Sequence, residues 1–243
     1  MKLYEKSKIG FAVAWIIAYC VLMSAGDALS AQIGTDKSVT LVIGIALTAI
    51  LLLFLKKNGL FSDYGLCAPK TSAKTMLYYV PILIKLSVNL WYGVALRCSA
   101  LETVLYVLAM LCVGFLEEVI FRGLLFEAMR KDNEKTAIIV SSVTFGIGHI
   151  INLINGSGVE LLPNLLQVVY ATAVGFMFVM VYCKSQSLLV CIAAHGVFNA
   201  LSVFADEAGV TNGMRIMTAL LLTVITGSYA LYLARSMKGK KNA

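Results

Sequence analysis

Apolar residues run almost unbroken through eight stretches of the chain, divided by short polar connections. The stretches are Ile9 to Ala25, Val39 to Leu55, Thr75 to Leu96, Thr103 to about Arg130, Thr136 to Ile154, Leu161 to Cys183, Ser187 to Ala205 and Met214 to Ala234. A helix needs about 20 apolar residues to cross a hydrocarbon core, and each stretch is that long or nearly so. The pattern therefore predicts an all-α, polytopic transmembrane helix bundle of about eight spans. A lipid-facing sheet is excluded, because backbone polar groups in the bilayer must be satisfied within their own span. Ile9 to Ala25 follows Lys2, Lys6 and Lys8 as a secretory leader would, but a second span comes soon after and no cleavage pattern precedes Asp27, so an anchor is expected. No linker, low-complexity tract or short-period repeat divides the sequence, and residues 1–243 read as a single integral-membrane domain.

Composition agrees: 60% of residues are hydrophobic and 14% charged, against about 25% charged in soluble domains. A net charge of +7 raises the question of nucleic acid, but the charge sorts by membrane side. With a cytoplasmic N-terminus, fifteen lysines and arginines fall in inside segments: Lys2, Lys6, Lys8, Lys56, Lys57, Lys70, Lys74, Arg130, Lys131, Lys135, Lys184, Arg235, Lys238, Lys240 and Lys241. Only Lys37, Arg97 and Arg215 fall outside. This asymmetry follows the positive-inside rule and predicts an even number of spans with both termini cytoplasmic in a cell membrane. The expected partner is thus the lipid bilayer, not nucleic acid. Six cysteines without a CxxC pair, at least Cys20, Cys112 and Cys191 of them within apolar spans, indicate neither a disulfide framework nor a zinc knuckle.

Intramembrane polarity is concentrated between Glu117 and Asn199, on three predicted helices. Glu118 and Arg122 form an i, i+4 pair with the acid N-terminal, the favourable order for a helix ion pair. Glu117 is rotated by about 100° from Glu118 and has no such partner, which leaves it free to take a proton from water. The chain's two histidines both lie in apolar helices: His149 closes Phe145-Gly146-Ile147-Gly148-His149, and His195 stands one turn before Asn199. An imidazole and a carboxamide on one face can donate toward a developing oxyanion. At a rise of about 1.5 Å per residue, Glu117 and His149 lie about 20 Å and His195 about 12 Å from the cytoplasmic ends of their spans. They are expected in the cytoplasmic or middle part of the membrane, served by a water-filled cavity opening toward the cytoplasm. Lys85, about 16 Å deep, is left outside the site.

The ordered motifs EExxxR (Glu117, Glu118, Arg122), FxxxH (Phe145, His149) and HxxxN (His195, Asn199), with the stretch Asn164 to Ser187 between the last two, resemble the CAAX-processing and bacteriocin-immunity (CPBP, or Abi) family of intramembrane proteases. That family includes the type II CAAX prenyl endopeptidases. The resemblance spans roughly Leu116 to Leu201 within a catalytic core of about 103–205. It implies hydrolysis of a peptide bond in a membrane-anchored peptide or protein, prenylated or not, with Glu117 and His149 activating water and His195 and Asn199 stabilising the oxyanion. Glu118 and Arg122 complete the implied catalytic set. Relatives are often labelled metalloproteases, yet HExxH is absent here; His149, His195 and Glu117 could supply the three ligands a catalytic zinc takes. Metal-free and divalent-metal hydrolysis both stay open, the former preferred. Two other classes compete: a non-catalytic immunity or scaffold protein of the same fold, and a secondary transporter, which would more often show paired halves with broken helices.

Overall fold

The computed structural model describes residues 2–155 and 158–238. The side chains of Lys2 and Lys238, and all of Lys240 and Lys241, which entered the charge comparison, lie outside what is described. A short helix α1 (Lys2–Lys6) precedes α2 (Lys8–Ile33), which Ser7 caps by accepting the Gly10 amide. The helix α3 (Ser38–Lys57) returns. A 3-10 turn (Ala73–Tyr79) leads into α4 (Val80–Ser87), then comes α5 (Ala100–Glu118) with the capping box of Ser99 and Glu102. The α5 helix widens without a break into a π-helical segment (Val119–Phe126) and continues as α6 (Glu127–Arg130). It is followed by α7 (Glu134–Gly148), a 3-10 turn (His149–Leu153), α8 (Leu161–Ser185), α9 (Leu189–Leu201) and α10 (Asn212–Lys238).

Among the described residues, six helices are long and apolar enough to cross a membrane: Lys8–Ile33, Ser38–Lys57, Ala100–Arg130, Glu134–Leu153, Leu161–Ser185 and Asn212–Met237. This is a multi-pass membrane protein. The remaining two of the eight expected stretches depart from uninterrupted spans. Residues 75–96 do not form one helix: Leu77, Tyr78 and Tyr79 take left-handed backbone angles (φ 50°, 49° and 58°) just before Pro81. Proline lacks an amide hydrogen and its ring crowds the preceding turn, so the helix restarts there. The freed backbone is held by neighbouring helices: the Tyr229 hydroxyl donates to the Met76 carbonyl (2.6 Å) and Lys184 Nζ to the Thr75 carbonyl (2.7 Å). Non-helical backbone at membrane depth is tolerated where it is buried in protein in this way. The other departure, Leu189–Phe204, is a shorter apolar helix, ending in a 3-10 turn.

Both irregular stretches still run the length of the bundle. At one end Lys70 N donates to Ser185 O and Leu188 N to Gly65 O, while Tyr4 pairs with Tyr64 and Lys184 with Ser236. At the other end Val94 bridges Ala205, Asp206 N donates to Gly93 O and Tyr92 bonds Thr218. The first end gathers the chain's basic connections and, through α1 and the close of α10, both termini of the described chain; it is called the basic end below.

Helix α8 is the central staff, with 56% of its apolar window buried against 22% for α2, whose other faces are left to lipid. Lipid supplies no hydrophobic drive between helices, so close packing at small residues has to hold them. A Cβ added to Gly114 of α5 would fall on the backbone of Gly196 in α9, and one at Gly146 of α7 on Thr172 of α8. At Gly175 it would stand 2.9 Å from the Ser142 carbonyl oxygen. These three contacts bring the motif-bearing helices together.

Gly114→Ala should therefore force α5 and α9 apart at a cost of about 1–3 kcal/mol, whereas Gly227→Ala, where a Cβ meets nothing within 4 Å, should be neutral. Thermal unfolding in detergent checks this, with a fall of about 2–4 °C per kcal/mol expected for the first variant alone.

Candidate active site

Glu117 and Glu118 stand at the last turn of α5, where the winding loosens into the π segment. Such segments displace carbonyls from their usual partners and recur at functional sites. Here Ser141 Oγ of α7 donates to the Phe121 carbonyl (2.9 Å), tying the widened turn to α7.

Glu118 and Arg122 are both fully buried and meet at 3.0 Å. The same Glu118 Oε1 also faces His195 Nδ1 at 2.8 Å. Glu118 is thus flanked by a guanidinium and an imidazole, the kind of pairing a buried carboxylate requires. Arg122 does not complete its hydrogen bonds, since Nε and Nη2 have no partner. Its plane instead lies over the Phe145 ring at 4.1 Å, with Phe178 at 5.7 Å, contacts that favour a delocalised cation. Phe145 also packs edge-on against both imidazoles, 5.3 Å from His149 and 5.6 Å from His195 between ring centres. One aromatic side chain thus spaces the arginine and the two histidines.

Glu117 faces away from Arg122. Its Oε1 accepts the Tyr19 hydroxyl at 2.6 Å, and its Oε2 lies 3.5 Å from His195 Nε2 without a hydrogen-bond partner. His149 Nδ1 lies 3.1 Å from the Phe145 carbonyl, an acceptor, so Nδ1 is the donor there and in the neutral ring Nε2 has the lone pair. Asn164, fully buried, donates from Nδ2 to the His149 carbonyl at 2.8 Å and fixes the turn at the end of α7.

A cavity of about 470 Å³ is walled by Glu117, His149 and Asn199 together with Tyr19, Phe145 and Phe198. His195 is not among its walls; it sits behind Glu117, bridging the two carboxylates. The expected imidazole and carboxamide pair is therefore split, Asn199 on the wall and His195 in the layer behind it. The cavity's orientation also differs from expectation. Its outer walls are Asp27, Lys37, Asn155, Val159 and Glu207, from the end opposite the basic one. At the basic end the turn before α9 packs closely on the loop after α3, Gly65 against Tyr182 and Leu188, whereas the contacts at the other end leave the cavity between them.

Among the described residues, no group of three or more His, Cys, Asp or Glu side chains is placed to hold a metal ion. His149, His195 and Glu117 do not form such a group, although each imidazole is held through Nδ1 and leaves Nε2 for another contact. Placed this way they are not three converged ligands, and no chemical step is routed through a metal.

Two site residues escape the sequence reading. Tyr19 comes from a span with almost nothing ionisable; its mid-span position, away from the interfaces where tyrosine usually anchors, was the available sign. Asn164 follows Pro163 in the first turn of α8, where its carboxamide could pass for a polar helix start. Lys85, set aside from the sequence, is buried on α4 with Nζ 3.7 Å from the centre of the Phe198 ring and 5.3 Å from that of Phe178.

Arg122→Met should leave Glu118 as an undercompensated buried charge and cost about 3–5 kcal/mol, whereas Glu118→Gln combined with Arg122→Met should recover most of the loss. Denaturation of the single and double variants in detergent measures both.

Residues 99–201 match the family described as Type II CAAX prenyl endopeptidase Rce1-like. A protein of Bacillus subtilis (strain 168) named "Putative membrane peptidase YdiL" is 30% identical over 115 residues, 47% of this chain and 42% of that protein. The chain's match thus spans less than half the length of that relative. The matched segment runs from the Ser99 cap of α5 to the last residue of α9 and contains every motif residue from Glu117 to Asn199. The helices that carry these motifs inside the membrane bundle are thus the part of the chain that is similar to the Rce1-like, type II CAAX endopeptidase family.

Proposed function

We propose that the chain is an intramembrane endopeptidase that hydrolyses a peptide bond of a membrane-associated polypeptide by glutamate-activated water. The observation that carries this reading is the asymmetry of the two glutamates. Glu118 is locked between Arg122 and His195, while Glu117 has no arginine partner among the described residues and lines the cavity shared with His149 and Asn199.

In this reading a water in the cavity gives a proton to the Glu117 carboxylate and its oxygen attacks the carbonyl carbon. The unprotonated Nε2 of His149 orients that water. As the tetrahedral intermediate forms, negative charge collects on the former carbonyl oxygen, where Asn199 Nδ2 can donate. The C–N bond then breaks as Glu117 returns the proton to the leaving amine. Tyr19 holds Glu117 Oε1 at the cavity wall, while Oε2 is buried beside His195. His195 spans the two carboxylates and sets the position of Glu117 relative to Glu118.

The test is incubation of the purified chain in lipid discs with membrane-anchored peptides, reading new termini by mass spectrometry. Glu117→Gln should lower the rate by about 10²–10⁴-fold and Asn199→Ala by about 10²–10³-fold. Tyr19→Phe, which removes one hydrogen bond to a charged group, should lower it by about ten- to a hundredfold. All three should unfold as the wild type does. Identical termini from wild type and Glu117→Gln, with the cellular phenotype intact, would turn the reading to a non-catalytic immunity or scaffold role.

A further inference from the structure

The direction in which the site opens bears on what it cleaves, and it rests on the hydrolytic reading above. The catalytic cavity borders a second one of about 580 Å³ between α8, α10 and the turn after α4; Asn89, Gln167, Tyr170 and Phe198 line both. The second cavity is apolar along Leu166 and Leu222 and polar at its rim, where Glu160, Asp206, Glu207 and Arg215 stand. All four rim residues belong to the end opposite the basic one, as do Asp27, Lys37 and Asn155 around the first cavity. Neither cavity is lined by a residue of the basic-end connections 58–72, 131–133 or 186–188.

The basic end is closed by specific bonds. Ser187 Oγ donates to Cys67 O (2.5 Å), Leu188 N to Gly65 O (2.7 Å) and Lys70 N to Ser185 O (2.8 Å), seating the α8–α9 turn in the loop that follows α3. Among the described residues, thirteen lysines and arginines belong to this end and three to the other, the last two being the buried Lys85 and Arg122. Short connections with such a bias stay in the cytoplasm during insertion.

We infer that the site is reached from the non-cytoplasmic face, and that its substrates are polypeptides held in or on that leaflet: exported peptides, or the outward-facing segments and tails of membrane proteins. A cytoplasmic lipid-anchored tail meets the closed end. The two adjoining cavities offer such a substrate a polar mouth, an apolar side room and the Glu117 wall, all within the same half of the bilayer.

Labelling of single cysteines in the full chain decides the point without reference to catalysis. With the six native cysteines replaced, Ser24→Cys places a thiol on the cavity wall, Thr211→Cys on the exposed connection at the open end and Ser62→Cys on the exposed connection at the basic end. A membrane-impermeant maleimide added to intact cells should label the first two at least tenfold faster than in inverted vesicles, and Ser62→Cys the reverse. Labelling of Ser62→Cys from outside, or of Ser24→Cys only in inverted vesicles, would overturn the inference. Terminal profiling of membranes holding wild type or Glu117→Gln supplies the second arm. New termini that depend on Glu117 should map to non-cytoplasmic segments, and cytoplasmic ones would overturn the inference. No difference between the two membranes would remove the hydrolytic reading, and the inference with it, even where the labelling pattern holds.

Discussion

A charged carboxylate buried in a membrane bundle has to be surrounded by partners, and the fold of this protein is arranged around meeting that condition for Glu118. Arg122 approaches it along its own helix and His195 from α9, both at the same oxygen. Because the partners come from two helices, satisfying the charge fixes the rotation of α5 and the depth of α9 together. The neighbouring Glu117 is then turned to a different face, toward Tyr19 and the cavity. The orientation of Glu117 depends on the pairing made at Glu118, although the two carboxylates are adjacent in sequence.

The uncharged surroundings serve the same condition. Phe145 supports the arginine face and spaces both histidines, while Phe178 lies between Arg122, Lys85 and His195. Side chains this large could not crowd around the carboxylates unless the backbones came close elsewhere. The glycine contacts of α5 with α9 and α7 with α8 provide that approach, and the π-helical turn beyond Glu118 accommodates it locally. Regular helix geometry gives way only where side chains from another helix hold the displaced backbone, as Ser141 does for Phe121 and Tyr229 for Met76.

The two ends of the bundle carry different tasks. One seals the α8–α9 turn against the loop after α3 through backbone and hydroxyl hydrogen bonds; the other ties the strand-like stretch before α5 to the end of α9 and leaves a cavity that reaches Glu117. The charge bias that orients a membrane protein thus coincides with a difference in packing, and access to the interior becomes a property of orientation.

Much of this was legible in the sequence because the bilayer simplifies the problem: long apolar runs must be helices, and polar residues inside them are few enough to stand out. The helical membrane fold, the family resemblance and the Glu118–Arg122 spacing follow from patterns within single helices, where periodicity fixes geometry. What the sequence left undecided depends on pairs of helices. Tyr19 lies 98 residues from Glu117, so nothing local announces their bond. The split of His195 from Asn199 follows from how far α9 sinks against Gly114, and the break before α4 from partners on α8 and α10. Whether a cavity opens toward one face or the other is a matter of which connections pack together, a relation among distant segments that a helical period cannot encode and only the assembled bundle decides.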